Sequence, residues 1–132
     1  MTGPFFTLDE ANALLPWLEG KLASMIPDRD RLAAQQERLL ELLRRRRSNG
    51  HSSSEEDILE CKREVDRLTQ LLQENLKEVT DRGILVRDLG RGLVDFPGRR
   101  EGREVYLCWL RGEDRIDYWH ETNVGFAGRQ PL

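Results

Sequence analysis

Thr7-Leu8-Asp9-Glu10-Ala11 opens a stretch in which Leu8, Ala11, Leu15, Leu18, Leu22, Met25, Arg29, Leu32, Gln36, Leu39 and Leu43 recur in alternating steps of three and four. That spacing places them along one stripe of a helix, and sustained over about five heptads it is a coiled-coil seam. Arg29 and Gln36 are its two polar members. Thr7 and Glu10 have the spacing of a capping box, in which each side chain accepts a hydrogen bond from the other's backbone N–H. Pro16 and Pro27 each remove a helical hydrogen bond. The seam keeps its phase across both, so one kinked helix is expected rather than three short ones. Ser48-Asn49-Gly50-His51-Ser52-Ser53 reads as a polar turn, with His51 solvent-exposed. Ser53-Ser54-Glu55-Glu56 is a second capping box. Ile58, Cys61, Val65, Leu68, Leu72, Asn75 and Val79 then form a second seam, stopped at Asp81-Arg82-Gly83. Two seams joined by a short turn predict a long antiparallel two-helix coiled-coil hairpin over residues 8–82.

The pattern changes after Gly83. Ile84-Leu85-Val86 and Leu93-Val94-Asp95-Phe96 are short β-prone runs, and Pro97-Gly98 reads as the start of a turn ending near Gly102. Val105–Leu110 is the strongest strand signal, Arg111-Gly112-Glu113-Asp114 a hairpin turn, and Ile116–His120 its return strand. The expectation is an α+β fold in a single domain, 1–132, with a small antiparallel β-sheet over residues 84–120 and an irregular C-terminal tail over 121–132.

An even-length loop at Gly112-Glu113 or Arg111–Asp114 pairs Trp109 with Ile116 and Cys108 with Asp117. Residues paired directly share a face. Val105, Leu107, Trp109, Ile116, Tyr118 and His120 then lie on one side, and Tyr106, Cys108, Leu110, Asp117 and Trp119 on the other. An odd loop reverses the grouping. With the even loop, Cys108 and His120 lie on opposite faces and do not share a metal ion, so no metal site and no cofactor are expected. Both faces carry apolar side chains. A homodimer through the sheet, anchored by Tyr106 and Trp119, is one way to cover the second face. Folding the tail around Phe126 back over it is the other.

Composition narrows the functional classes. With 21 basic against 24 acidic residues the net charge is −3, which lacks the broad basic footprint of a nucleic-acid binder. The acidic excess lies in residues 48–83. The cluster Arg44–Arg47 suits the negative end of a helix. No apolar run approaches the roughly 20 residues of a membrane span, so no membrane partner is expected. The first residues carry acids early and no basic start, unlike a signal peptide. Cys61 and Cys108 form no CxxC pair and read as reduced thiols of a cytoplasmic protein.

Phe6-Thr7-Leu8-Asp9-Glu10-Ala11-Asn12, Gly92-Leu93-Val94-Asp95-Phe96-Pro97, Leu107-Cys108-Trp109, Gly112-Glu113, Tyr118-Trp119-His120 and Gly125-Phe126-Ala127-Gly128-Arg129 resemble the prokaryotic domain-of-unknown-function family 2203. The resemblance covers nearly the whole chain. It implies a small bacterial cytoplasmic protein and brings no activity, substrate or cofactor with it.

The polar candidates are Asp95, Glu113, His120 and Arg129, with Cys108 near them in sequence. Gly125–Arg129 places two glycines around an aromatic residue with an arginine beyond, a pattern that can cradle a small anion. The competing role for Arg129 is an ion pair with Asp95 or Glu113. More than half the chain is coiled coil. The preferred expectation is therefore a non-enzymatic assembly or interaction module with an unknown protein partner and no catalytic residues. The alternative is a small anionic-ligand or metal-binding protein, open to catalysis, with a site near Asp95, His120 and Arg129.

Overall fold

The computed structural model describes residues 5–49 and 55–132. Residues 50–53 of the expected polar turn lie outside them, and with them His51 and Ser53 of the second capping box. Helix α1 runs Leu8–Asn49 without interruption and helix α2 runs Glu55–Asp81. The first capping box is formed: the Thr7 N–H donates to Glu10 Oε1 at 2.8 Å and the Glu10 N–H to Thr7 Oγ1 at 3.1 Å. Hydrogen bonds to its carboxylate, first from the Thr7 N–H and then from the Thr7 hydroxyl, hold the Glu10 carboxyl below its ordinary range. Pro16 and Pro27 lie on the exposed side of α1. Water can there satisfy the carbonyls they orphan, so the helix continues. Gly83, at φ 90°, takes the left-handed turn that ends α2.

Two compact units divide the chain, Met1–Ala23 with Leu76–Leu132, and Ser24–Asn75. In the second unit the two helices pack through Leu42, Ile58 and Cys61, flanked by Leu39 and Leu43. The buried stripe of α1 departs from the expected seam beyond Pro27. Asp28 and Leu42 are buried and Gln35 is half-buried, whereas Arg29 and Gln36 are exposed. At those positions the stripe has moved by one residue, exchanging Arg29 and Gln36 for Asp28 and Gln35, which find partners there. Asp28 is held by Arg31 at 2.6 Å, and the Cys61 thiol donates to the Gln35 carbonyl at 3.3 Å. Arg44 and Arg45 pair with Glu41, and Arg46 with Glu55, so three of the four clustered arginines serve the helices themselves.

In the first unit the helical ends accompany a five-stranded antiparallel sheet, β1 Leu85–Asp88, β2 Leu93–Arg100, β3 Arg103–Leu110, β4 Tyr118–Glu121 and β5 Gln130–Pro131, in sequential order. Three expectations are corrected. Pro97-Gly98 is no turn but the interior of β2. The Pro97 carbonyl accepts from the Phe6 N–H at 2.7 Å, so its missing N–H lies on the side that β1 does not reach. The turn is Glu101-Gly102, with φ 53° and 77° at its two residues, the two-residue connection that suits twisted strands. The tail is not irregular throughout: a short 3-10 turn at Phe126–Gly128 leads into β5, which pairs with β4.

The third correction is the register. Leu107 pairs with Trp119, Cys108 with Tyr118 and Tyr106 with His120. The connection from Leu110 to Tyr118, residues 111–117, is odd in length. Ile116 falls outside the ladder, its N–H donating to Asn12 Oδ1 at 2.8 Å. One face of the sheet thus carries Val94, Phe96, Val105, Leu107, Trp109 and Trp119, all buried. With Ala11, Leu15, Leu18, Leu22, Val79 and Ile84 they form the apolar core of this unit. The other face carries Asp95, Tyr106, Cys108, Tyr118 and His120. Tyr106 and Trp119, expected side by side as dimer anchors, are on opposite faces. The chain's own tail, residues 122–129, covers much of the second face.

Gly92 takes φ 69°, and a Cβ there would come within 2.5 Å of the Arg111 Cβ. Gly92→Ala is expected to cost about 2 kcal/mol or more, from left-handed strain plus displacement of β3's end. A urea midpoint unchanged from wild type would show that this approach is not needed.

Candidate functional site

The odd register decides the chemistry of the second face. Asp95 on β2 pairs directly with Cys108 on β3, and His120 on β4 lies diagonally beside it, opposite Tyr106. Each is about 98% buried or more. One oxygen of Asp95, the Cys108 Sγ and one ring nitrogen of His120 all lie within 4.8 Å of one another. The expectation that Cys108 and His120 point apart is thereby overturned. Its cause is a single residue of hairpin loop.

The hydrogen bonds fix the imidazole. Nδ1 lies 2.8 Å from the Glu121 carbonyl oxygen, a group that only accepts, so Nδ1 carries a proton. Nε2 lies 3.0 Å from Asp95 Oδ1. In the neutral ring a lone pair on Nε2 faces a carboxylate oxygen, and the pair needs a cation: a second proton, or a metal ion. The other carboxylate oxygen accepts from Arg87 Nε at 2.9 Å. This bond raises the Arg87 pKa and keeps its guanidinium charged. The Arg87 guanidinium lies over the Tyr106 ring at 4.9 Å, and that ring packs 5.5 Å from His120.

Without a metal, the Cys108 thiol is pushed up to about 12, first by burial, then by the negative charge of Asp95, with Arg129 pulling the other way. Such a thiol is protonated at neutral pH and a poor nucleophile. Nδ1 of His120 is committed to a backbone carbonyl and Nε2 faces Asp95 Oδ1 at 3.0 Å, so the ring is aimed at the carboxylate rather than at the thiol. The cluster opens on a cavity of about 360 Å³ walled by Arg87, Leu93 and the tail residues 122–126.

Glu113 and Arg129 form a pair of their own beside the cluster, Arg129 Nη2 also reaching the Cys108 carbonyl at 3.5 Å. Arg129 Nη2 grips both oxygens of Glu113 at 2.8 and 2.9 Å, and its guanidinium is stacked on Tyr118 and Phe126. Glu113 Oε1 also accepts from the Leu110 N–H at 2.7 Å, and the Glu113 carbonyl from Trp109 Nε1 at 3.0 Å. This pair fastens the tail to the end of β3. Glu113 borders a separate cavity of about 600 Å³ beside the first turns of α1. Asp95 and His120 therefore come together with Cys108 and Arg87, and Glu113 and Arg129 with each other. Arg87 gave one weak sequence signal, as the charged residue of a short strand beginning Leu85-Val86.

Among the described residues no helix is long and apolar enough to cross a membrane. No curated protein matches the chain, and no solved structure does. The family model described as "Uncharacterized conserved protein (DUF2203)" matches residues 4–132, nearly the whole length, and the chain belongs to that family.

Proposed function

We propose that this protein binds one divalent ion of the zinc class through Asp95, Cys108 and His120. The observation that carries the reading is the convergence of three different donors, all buried, within 4.8 Å and beside a cavity. Thiolate, imidazole and carboxylate together suit zinc, and tetrahedral bond lengths ask for donor separations of about 3.2–3.7 Å. The Nε2–Oδ1 distance of 3.0 Å is already close to that range. The Glu121 carbonyl on Nδ1 is the outer-shell partner that orients a ligating histidine. A proton between His120 and Asp95 accounts for that pair alone, and it gives the buried Cys108 no part. A reducing, cytoplasmic compartment fits a thiolate ligand, and both cysteines are free.

An assembly module has less support. The reason for a sheet-mediated homodimer anchored by Tyr106 and Trp119 was an uncovered second face, and the tail lies over much of that face. Sedimentation of the intact chain tests it, a dimer being the outcome that returns the module reading to first place.

The metal reading is tested on the full chain, reduced, stripped with chelator and titrated with Zn²⁺ or Co²⁺. One ion per chain is expected, with a thiolate-to-cobalt charge-transfer band. Cys108→Ala and His120→Ala should each lose the band and at least about 100-fold in affinity, more than the 10–100-fold cost of losing an outer-shell partner. Circular dichroism checks that both variants fold. Folded variants that still take up one ion would overturn the assignment.

A further inference from the structure

All three donors rise from one face of the sheet, so an ion held by them keeps the side toward the cavity open. Resting on the metal reading above, we infer that this open position takes a small monocarboxylate, its head on the metal and Arg87 and its apolar end against Leu93, Val124 and Phe126.

Charge sets the class of ligand. A divalent ion is neutralised by the Asp95 carboxylate and the Cys108 thiolate, and His120 is neutral once Nε2 binds metal. Among the residues lining the cavity, Arg87 then leaves one positive charge at its mouth, beside the polar wall of Thr122 and Asn123. A monoanion cancels that charge; a dianion overshoots it, and a neutral ligand leaves it standing. Arg87 commits Nε to Asp95, and its planar guanidinium carries further donors in a fork matched to a carboxylate. The cavity of about 360 Å³ sits at the small end of the range for organic ligands and exceeds the share of a few waters. Leu93 is buried, Phe126 is half-buried, and both line the cavity, so they offer a hydrocarbon tail an apolar surface.

The experiment uses the full-length cobalt-loaded protein, titrated separately with acetate, benzoate and inorganic phosphate and followed through the cobalt ligand-field bands. Both carboxylates should shift the bands while the thiolate charge-transfer band persists. Benzoate should bind at least tenfold tighter than acetate, and phosphate more weakly than either. Arg87→Gln, which keeps a donor for Asp95, should weaken benzoate at least tenfold with the charge-transfer band still present. Cobalt bound with its thiolate band but indifferent to carboxylate overturns this inference and leaves the metal reading standing. Tighter binding of phosphate, or an unaltered benzoate affinity in Arg87→Gln, overturns the carboxylate assignment. Failure to take up cobalt at all overturns both.

Discussion

Phe96→Ala is expected to destabilise the chain by about 3–5 kcal/mol, the usual cost of emptying a large buried aromatic site. Phe96 is fully buried, on the strand face that carries Val94, Leu107, Trp109 and Trp119, and Phe6 meets it edge-on at 5.4 Å between centroids. Its neighbours are fixed in place. Leu107 is its ladder partner, and Phe6 is held by the hydrogen bond to the Pro97 carbonyl. The space left by the ring cannot close without moving β2 against β3, so most of the cavity term should persist. Leu40→Ala is the control: Leu40 is 57% exposed and should change stability by no more than about 0.5 kcal/mol. Urea denaturation of the two variants separates them. A Phe96→Ala loss below about 1.5 kcal/mol would mean that this face of β2 and β3 is not the core of the sheet.

The register matters because it was the hardest feature to read from the sequence. Local signals were plain. The Thr7–Glu10 box, the left-handed Gly83, the α2 seam and the α1 seam as far as Met25 depend on neighbours in the chain, and each forms where its residues stand. Non-local pairing left no such mark. Ile116 is apolar and precedes Asp117-Tyr118 in clean alternation, so it reads as a strand residue. It is buried, but its N–H goes to Asn12 on α1, more than a hundred positions away, and the ladder begins two residues later. That shift of parity moved His120 to the face of Cys108 and Asp95. Pro97 misled for a related reason. A proline argues against a central strand, and nothing local announces that β1 stops short of it. The slip of the α1 stripe past Pro27 had a cause in sequence that periodicity alone does not weigh. Asp28 has Arg31 three residues on to hold it, and Gln35 accepts from the Cys61 thiol, whereas Arg29 and Gln36 face outward. The site is half legible in the sequence: Asp95 and His120 stand out as polar residues of β-prone runs, even-loop parity alone separates Cys108 from them, and Glu113 and Arg129 pair with each other.

Asp95→Asn should separate the two cations that can satisfy the His120–Asp95 contact. Asparagine has the shape of aspartate, and here its two ends fit. Its carbonyl oxygen can accept from Arg87 where Oδ2 now does, and its amide can donate to the bare Nε2 of a neutral His120 where Oδ1 now lies. The metal-free fold should therefore lose about 1 kcal/mol or less, since the Arg87 pair is partly solvated and the histidine contact becomes a normal hydrogen bond. Metal binding should suffer far more, because an anionic ligand has become a neutral one. At zinc a thousandfold above the wild-type Kd, binding stabilises the native state by about 4 kcal/mol. A hundredfold loss of affinity leaves about 1.4 kcal/mol at the same zinc concentration. Chemical denaturation of wild type and variant, with chelator and with zinc, measures both quantities. If the pair is held only by a proton, zinc shifts neither protein. A metal centre instead predicts a gap that opens in zinc, about 2.6 kcal/mol beyond whatever difference the two proteins show in chelator.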